Sequence, residues 1–271
     1  MSERHAPPGI DSSRMHPARR YDYLLGGKDN FEVDRANAEM LARAFPSARV
    51  TALENRKFLR RAVSMLAGQA GVRQFLDIGA GLPTSPNVHE VAQDIAPDSR
   101  VVYVDNDPMV LAHARALLTS SDEGVTAYVD ADLREPDTIL KNDDLLSTID
   151  RSRPVALMLV AIMHFITDDM NPYGVVREYV DAMPPGSFLV MSNGTLDFMA
   201  PVDAANLRAA FKRSGEPAAP RTKAEFARFF DGLDLLEPGI VSVADWRPED
   251  DPGKRAKPAD AAVYAAVARI P

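Results

Sequence analysis

The spacing of apolar positions changes character near residue 70. Before it the period is helical. Val33, Ala36, Met40, Leu41 and Ala44 share one face of a helix that runs from Val33 to Phe45 and is ended by Pro46. Thr51 and Glu54 have the spacing of a capping box, in which hydroxyl and carboxylate satisfy the free amides of a helix start. Leu59, Ala62, Val63 and Leu66 form the stripe of the helix behind them. Beyond Gly71, short apolar runs alternate with amphipathic stretches. Gln74–Ile78, Arg100–Val104, Val125–Val129, Val155–Val160 and Phe188–Met191 read as strands. The fourth is apolar throughout, as suits a strand covered on both faces. Ser85 and Pro86 open a helix bearing Val88, Val91, Ala92 and Ile95, and Asp107 caps one bearing Val110 and Leu111. Such a βαβ series predicts a parallel sheet with right-handed crossovers. Two later strand-like runs, Leu233–Val243 and Ala262–Ala268, are joined by the charged, proline-rich stretch Arg247–Pro258. Residues 1–14 read as a loose arm, 15–70 as a helical cap and 71–271 as the main domain.

Composition narrows the class. A chain of 271 residues, 46% hydrophobic and 26% charged, suits one large α/β domain with an added cap. The absence of cysteine excludes a disulfide framework, a thiolate metal site and a cysteine nucleophile. A net charge of −8 argues against a nucleic-acid partner. The longest apolar run, Val155 to Met163, is nine residues, and a bilayer needs about 20. No membrane partner is therefore expected. With no apolar stretch of a secretory signal in the first fifteen residues, a cytoplasmic location is expected.

The strongest local chemistry is the first strand–turn–helix, Phe75-Leu76-Asp77-Ile78-Gly79-Ala80-Gly81-Leu82-Pro83. Its glycines let the chain turn sharply and let a ligand lie against bare main chain. A dinucleotide fingerprint needs a third glycine at position 84, where this chain has Thr84. The loop is thus fitted to a nucleoside without a diphosphate, which disfavours a nicotinamide oxidoreductase. Asp105 ends the second strand, 24 residues beyond Gly81, where a carboxylate can accept both hydroxyls of a ribose. The alternative is a tight turn and a helix cap only. At the tip of the third strand stands Asp130-Ala131-Asp132-Leu133, where a carboxylate can accept from an adenine amino group while the next amide donates to a ring nitrogen.

Taken in order, Asp77-Ile78-Gly79-Ala80-Gly81, Val104-Asp105-Asn106-Asp107 and Asp130-Ala131-Asp132-Leu133 resemble the cofactor motifs of class I S-adenosylmethionine-dependent methyltransferases. The run from Arg20 to Phe31 (RYDYLLGGKDNF), followed by Gly81-Leu82-Pro83-Thr84 and Asn87-Val88-His89-Glu90, resembles more closely one actinobacterial methyltransferase-like family, long classed as a domain of unknown function. The resemblance covers the chain from about residue 15. It implies a Rossmann-like, seven-stranded, mostly parallel sheet with an antiparallel carboxyl-terminal hairpin, and S-adenosylmethionine as cofactor with S-adenosylhomocysteine as product. By that likeness the glycine loop (Asp77, Gly79, Ala80, Gly81) holds the amino-acid part, Asp105 with Asn106 the ribose, and Asp132 with Leu133 the adenine. Val160, Tyr21, Gly26, Gly27 and Asn30 complete the implied contacts.

Read on its own residues, Tyr21–Phe31 suits either a lid that closes over a ligand or a packed joint between cap and core. It is not a phosphate loop, because Asp29 stands where Ser or Thr is required. Arg56, Lys57, Arg60 and Arg61 form a basic cluster that suits a solvated helix face better than a phosphate site. His164 follows the fourth strand and is the candidate general base, the alternative being a histidine that bonds its own loop. His89-Glu90 lacks the second histidine of a zinc motif, so no metal is expected. No Gly-x-Ser-x-Gly elbow is present to support a hydrolase. The sequence reading is a methyltransferase acting on a small molecule, with a non-catalytic cofactor-binding protein as the alternative.

Overall fold

Each predicted strand joins a single sheet in the computed structural model, which describes residues 10–117, 120–249 and 252–271. Residues 1–9 of the expected arm, and residues 250 and 251 of the Arg247–Pro258 stretch, lie outside the described residues. The strands are β1 (Gln74–Ile78), β2 (Arg100–Asp105), β3 (Val125–Asp130), β4 (Ala156–Val160), β5 (Phe188–Gly194), β6 (Asp234–Leu235), β7 (Val241–Ser242) and β8 (Val263–Arg269). Their order is β3-β2-β1-β4-β5-β8-β6, with β7 also on β8. The first five are parallel, and β8 runs antiparallel to β5. β6 and β7 occupy the same edge of β8, Leu235 facing Ala268 and Val241 facing Ala265. The expected sixth strand, Leu233–Val243, is thus split in two, while Ala262–Ala268 forms β8. Pro238 has no amide to give the ladder, and Gly239 turns the chain at φ 75°.

Helices α1 (Pro17–Leu25), α2 (Glu32–Ala44) and α3 (Ala48–Gly68) precede the sheet. α4 (Val88–Ile95) and α5 (Pro108–Leu117) make the first crossovers, and α6 (Pro136–Leu140) and α7 (Asp143–Thr148) follow β3. α8 (Pro172–Asp181) leads into β5, α9 (Pro201–Ser214) and α10 (Lys223–Ala227) follow it, and α11 (Pro258–Ala261) precedes β8. Among the described residues no helix is long and apolar enough to cross a membrane.

Strand alternation divides the core into two layers. Leu76, Val102, Leu157 and Leu159 face Leu145 of α7, Val176 and Tyr179 of α8 and Phe226 of α10. Phe75, Val101, Ala156 and Met158 face Phe58, Ala62, Val63 and Leu66 of α3, with Val88 and Ala92 of α4. α3, assigned from sequence to the cap, is therefore also a layer of the main sandwich. A separate apolar cluster joins α2 to α9 through Leu41, Ala204, Leu207 and Ala210.

Two helix starts differ from expectation. α3 begins at Ala48, so Thr51 and Glu54 lie inside it. The Thr51 hydroxyl donates to the Asp260 carbonyl at 3.0 Å, and the Ser47 hydroxyl donates to the Asp260 carboxylate at 2.7 Å. A partner more than 200 residues away in sequence thus takes the polar groups that local spacing assigned to a cap. α4 is capped by Asn87 and Glu90 rather than by Ser85. The basic cluster is consumed by structure. Arg56 donates to the carbonyls of Thr84 and Pro86, Lys57 pairs with Glu54 and Arg60 with Glu249, while Arg61 donates to the carbonyls of Val243 and Trp246.

Candidate functional site

At the carboxyl ends of β1 to β4 the sheet opens into a cavity of about 460 Å³, walled on its far side by α1, α2 and α9. The glycine loop forms one wall. Gly79 adopts φ 75°, and a Cβ there would sit 2.6 Å from the Ile162 side chain, so close approach as well as conformation demands glycine. Gly81 adopts φ 69°, and nothing lies within 4 Å of where its Cβ would project. Bare main chain borders open space at that point.

Asp105 braces the loop. Its Oδ2 accepts from the Gly81 amide at 2.8 Å and its Oδ1 from the Asp107 amide at 3.0 Å. Burial raises its pKa against the effect of those two bonds. Each oxygen retains a further lone pair for a ligand. Asp77, buried on the same wall, is pushed up to about 7 by burial, with Arg56 opposing and the Asp105 charge adding to the rise. Asp132 is ionised and held low chiefly by Arg134, whose Nη2 and Nε lie 2.6 and 2.9 Å from its oxygens. Asn106 Nδ2 donates to Asp132 at 3.3 Å, joining the tips of β2 and β3. Asp77, Gly79, Ala80, Gly81, Asp105, Asn106, Asp132, Leu133 and Val160 all line the cavity, as do Tyr21 and His164.

Tyr21 enters from α1. Its hydroxyl donates to the Ala52 carbonyl at 3.0 Å and accepts from Asn55 Nδ2 at 3.0 Å. Asn55 Oδ1 accepts from the Ser192 hydroxyl at 2.6 Å, and that oxygen accepts from the Ala161 amide at 2.9 Å. One chain of bonds thus runs from α1 through α3 and β5 to the residue after β4, where Ala161 holds φ 58°, a conformation uncommon outside glycine. A second tie joins α1 to the β2 tip, with His16 Nδ1 at 3.0 Å and Arg19 Nε at 3.4 Å from Asp107 Oδ2.

Gly26, Gly27 and Asn30 lie apart from the cavity lining. Gly26 ends α1 at φ 86°. A Cβ on Gly27 would fall 1.9 Å from Asp22 Oδ1. Asp22 Oδ2 accepts from Asn30 Nδ2 at 2.7 Å and from the Asp29 amide at 3.0 Å. These three residues build the latch that closes the α1–α2 turn.

His164 is half-buried in the turn Met163–Phe165, and its Nδ1 is enclosed without a hydrogen-bond partner. Burial, followed by the nearby Arg20 and Arg221 charges, lowers its pKa to about 3. The ring is therefore neutral at any ordinary pH and is a weak standing base.

The far wall escapes sequence reasoning. Arg20, Leu41, Phe45, Leu196, Leu207, Phe211 and Glu216 line it, and α9 supplies two of them. Signals for α9 were present: Pro201 at its first turn, Asp203 near its start, Lys212 and Arg213 near its end, and Gly215 in the left-handed conformation after it.

The sequence matches the model of a family described as S-adenosyl methyltransferase over residues 3–271. A solved DUF574 family protein from Streptomyces avermitilis MA-4680 is 47% identical, covering 97% of this chain and 100% of its own, with a TM-score of 0.93. A candidate methyltransferase from Thermobifida fusca YX is 45% identical, covering 97% and 98%, with a TM-score of 0.88. Human N-acetylserotonin methyltransferase, solved in complex with SAM, is 15% identical with a TM-score of 0.50, covering 93% of this chain and 63% of its own, a likeness of fold alone. No curated protein matches the chain.

Proposed function

Since the chain belongs to the S-adenosyl methyltransferase family, we propose that it transfers the methyl group of S-adenosylmethionine to a small-molecule acceptor held in the cavity at the sheet edge. The observation that carries this reading is the convergence of three successive strand tips, with Gly79–Gly81, Asp105 and Asp132, on one wall. The residues fit the cofactor: Gly81 leaves bare main chain beside open space, and Asp105 keeps lone pairs beyond those its two amides use. Bound there, the cofactor would supply a methyl group on a positively charged sulfur for an acceptor lone pair to take, the carbon–sulfur bonding pair returning to sulfur.

In this reading Gly79, Ala80 and Gly81, with Asp77, hold the amino-acid end, Asp105 and Asn106 the ribose, and Asp132 with Leu133 the adenine, while Val160 and Tyr21 supply wall. Gly26, Gly27 and Asn30 act at one remove, by fixing the turn that places α1. Methyl transfer needs alignment and exclusion of water more than acid–base groups. α1 and α2 serve that need by walling the cavity beyond the strand tips, and neutral His164 orients the acceptor and takes its proton only as the bond to the methyl carbon forms. Incubated with methyl-labelled S-adenosylmethionine and a small-molecule extract of an actinobacterial culture, the protein is expected to yield S-adenosylhomocysteine and a labelled small compound in equal amounts. Label found in macromolecules alone would contradict a small-molecule acceptor.

A further inference from the structure

The far half of the cavity is furnished unlike the strand tips. Leu41 and Phe45 from the α2 side, Leu196 and Met199 from the chain after β5, and Leu207 and Phe211 of α9 make it apolar. Among the described residues two charged side chains reach this half, and they cancel. Arg20 is ion-paired with Glu216, the two side chains being 9% and 12% exposed. The Arg20 guanidinium also donates to Asn37 Oδ1 at 2.9 Å and lies 5.8 Å from the Phe165 ring centre. His164, on the wall nearest the strand tips, is uncharged and has an unpartnered Nδ1. An ionic molecule entering this space would shed its hydration and find no uncommitted counter-charge, a penalty that an uncharged molecule avoids.

Resting on the methyltransferase reading, we propose that the acceptor is an uncharged, largely apolar ring compound bearing a hydroxyl, its body between α2 and α9 and its hydroxyl beside the His164 imidazole. Neither the charge-cancelling pair nor the apolar walls serve the cofactor, which the strand tips hold. The far half is therefore a specificity pocket for the acceptor, to which α9 contributes Leu207 and Phe211. Phe45, Phe165 and Phe211 offer ring faces and edges for a planar body.

The test is calorimetry on the full chain saturated with S-adenosylhomocysteine, using 1-naphthol as probe, with 1-naphthoate and 1-naphthylmethylammonium as ionic analogues of the same ring size. The neutral alcohol is expected to bind at least about ten-fold more tightly than either ion. Leu207→Arg is expected to weaken naphthol binding by about ten-fold or more while leaving S-adenosylhomocysteine affinity within about two-fold. Because Leu207 is buried, Phe211→Ala at a half-buried position is measured beside it and is expected to weaken naphthol binding by a smaller factor, again leaving S-adenosylhomocysteine affinity within about two-fold. Equal or tighter binding of either ion, or no naphthol binding to the loaded protein, would overturn the acceptor class and leave the methyltransferase reading standing. Failure of the wild-type chain to bind S-adenosylhomocysteine at all would overturn both.

Discussion

Replacing Asp105 by alanine is expected to weaken S-adenosylhomocysteine binding by about 1.5–3 kcal/mol, on the order of 10- to 150-fold. The ribose hydroxyls would lose a charged acceptor in a buried setting, where such a bond counts for most. The structure adds a second cost. Both Asp105 oxygens accept backbone amides, from Gly81 and Asp107, so alanine also strands two donors and loosens the glycine loop. Asp105→Asn separates the two effects. It keeps the side-chain volume and one acceptor oxygen but removes the charge, so its melting temperature should fall less than that of the alanine variant while its affinity loss remains clear. Calorimetry with S-adenosylhomocysteine and thermal unfolding of both variants check this. Normal binding by Asp105→Ala would remove Asp105 from the site.

Asp77→Asn is expected to make the free protein more stable, and increasingly so as pH rises. The carboxyl is raised from 3.8 to about 7 in the folded chain, chiefly by burial. The folded state therefore holds a proton that the unfolded chain releases above pH 3.8. Below that value both states are protonated and the group costs nothing. Between 3.8 and about 7 folding must take up a proton, and stability falls as pH rises, levelling off above about 7. At 1.36 kcal/mol for each pH unit, the full cost is on the order of 4 kcal/mol. Asparagine has no charge to bury. Thermal unfolding of the two proteins at pH 4, 6 and 8 should give nearly coincident midpoints at the lowest pH and a growing gap in favour of Asp77→Asn above it. A gap independent of pH would show that Asp77 is not held protonated by burial.

The parts of the molecule that the sequence made legible are those encoded locally. A short run with Phe75, Leu76 and Ile78 apolar, followed by Gly-Ala-Gly, specifies a strand and a turn whatever lies elsewhere, so β1 and its loop fall where expected, and Asp105 and Asp132 arrive at neighbouring tips because parallel strands share a direction. Gly26 and Gly27 sit where the chain turns out of α1, but a glycine pair carries no information about which way such a turn faces. The structure turns their neighbour Asn30 towards Asp22, away from the cavity lining. The far wall was illegible for a related reason. Leu41, Leu207 and Glu216 come together only through packing of α2 against α9 and the ion pair to Arg20, and nothing in their local spacing distinguishes them from ordinary core or surface positions.

Hydrogen exchange of the intact chain with and without saturating S-adenosylhomocysteine, with NAD as the control ligand, tests the central claim most directly, because it reports both binding and place. The account predicts that S-adenosylhomocysteine, and not NAD, slows exchange in peptides spanning Gly79–Leu82, Asp105–Asp107 and Ala131–Leu133, and in α1 around Tyr21 as the cap settles over the ligand. Unchanged exchange at the three strand tips under saturating S-adenosylhomocysteine, or stronger protection there by NAD, would contradict it.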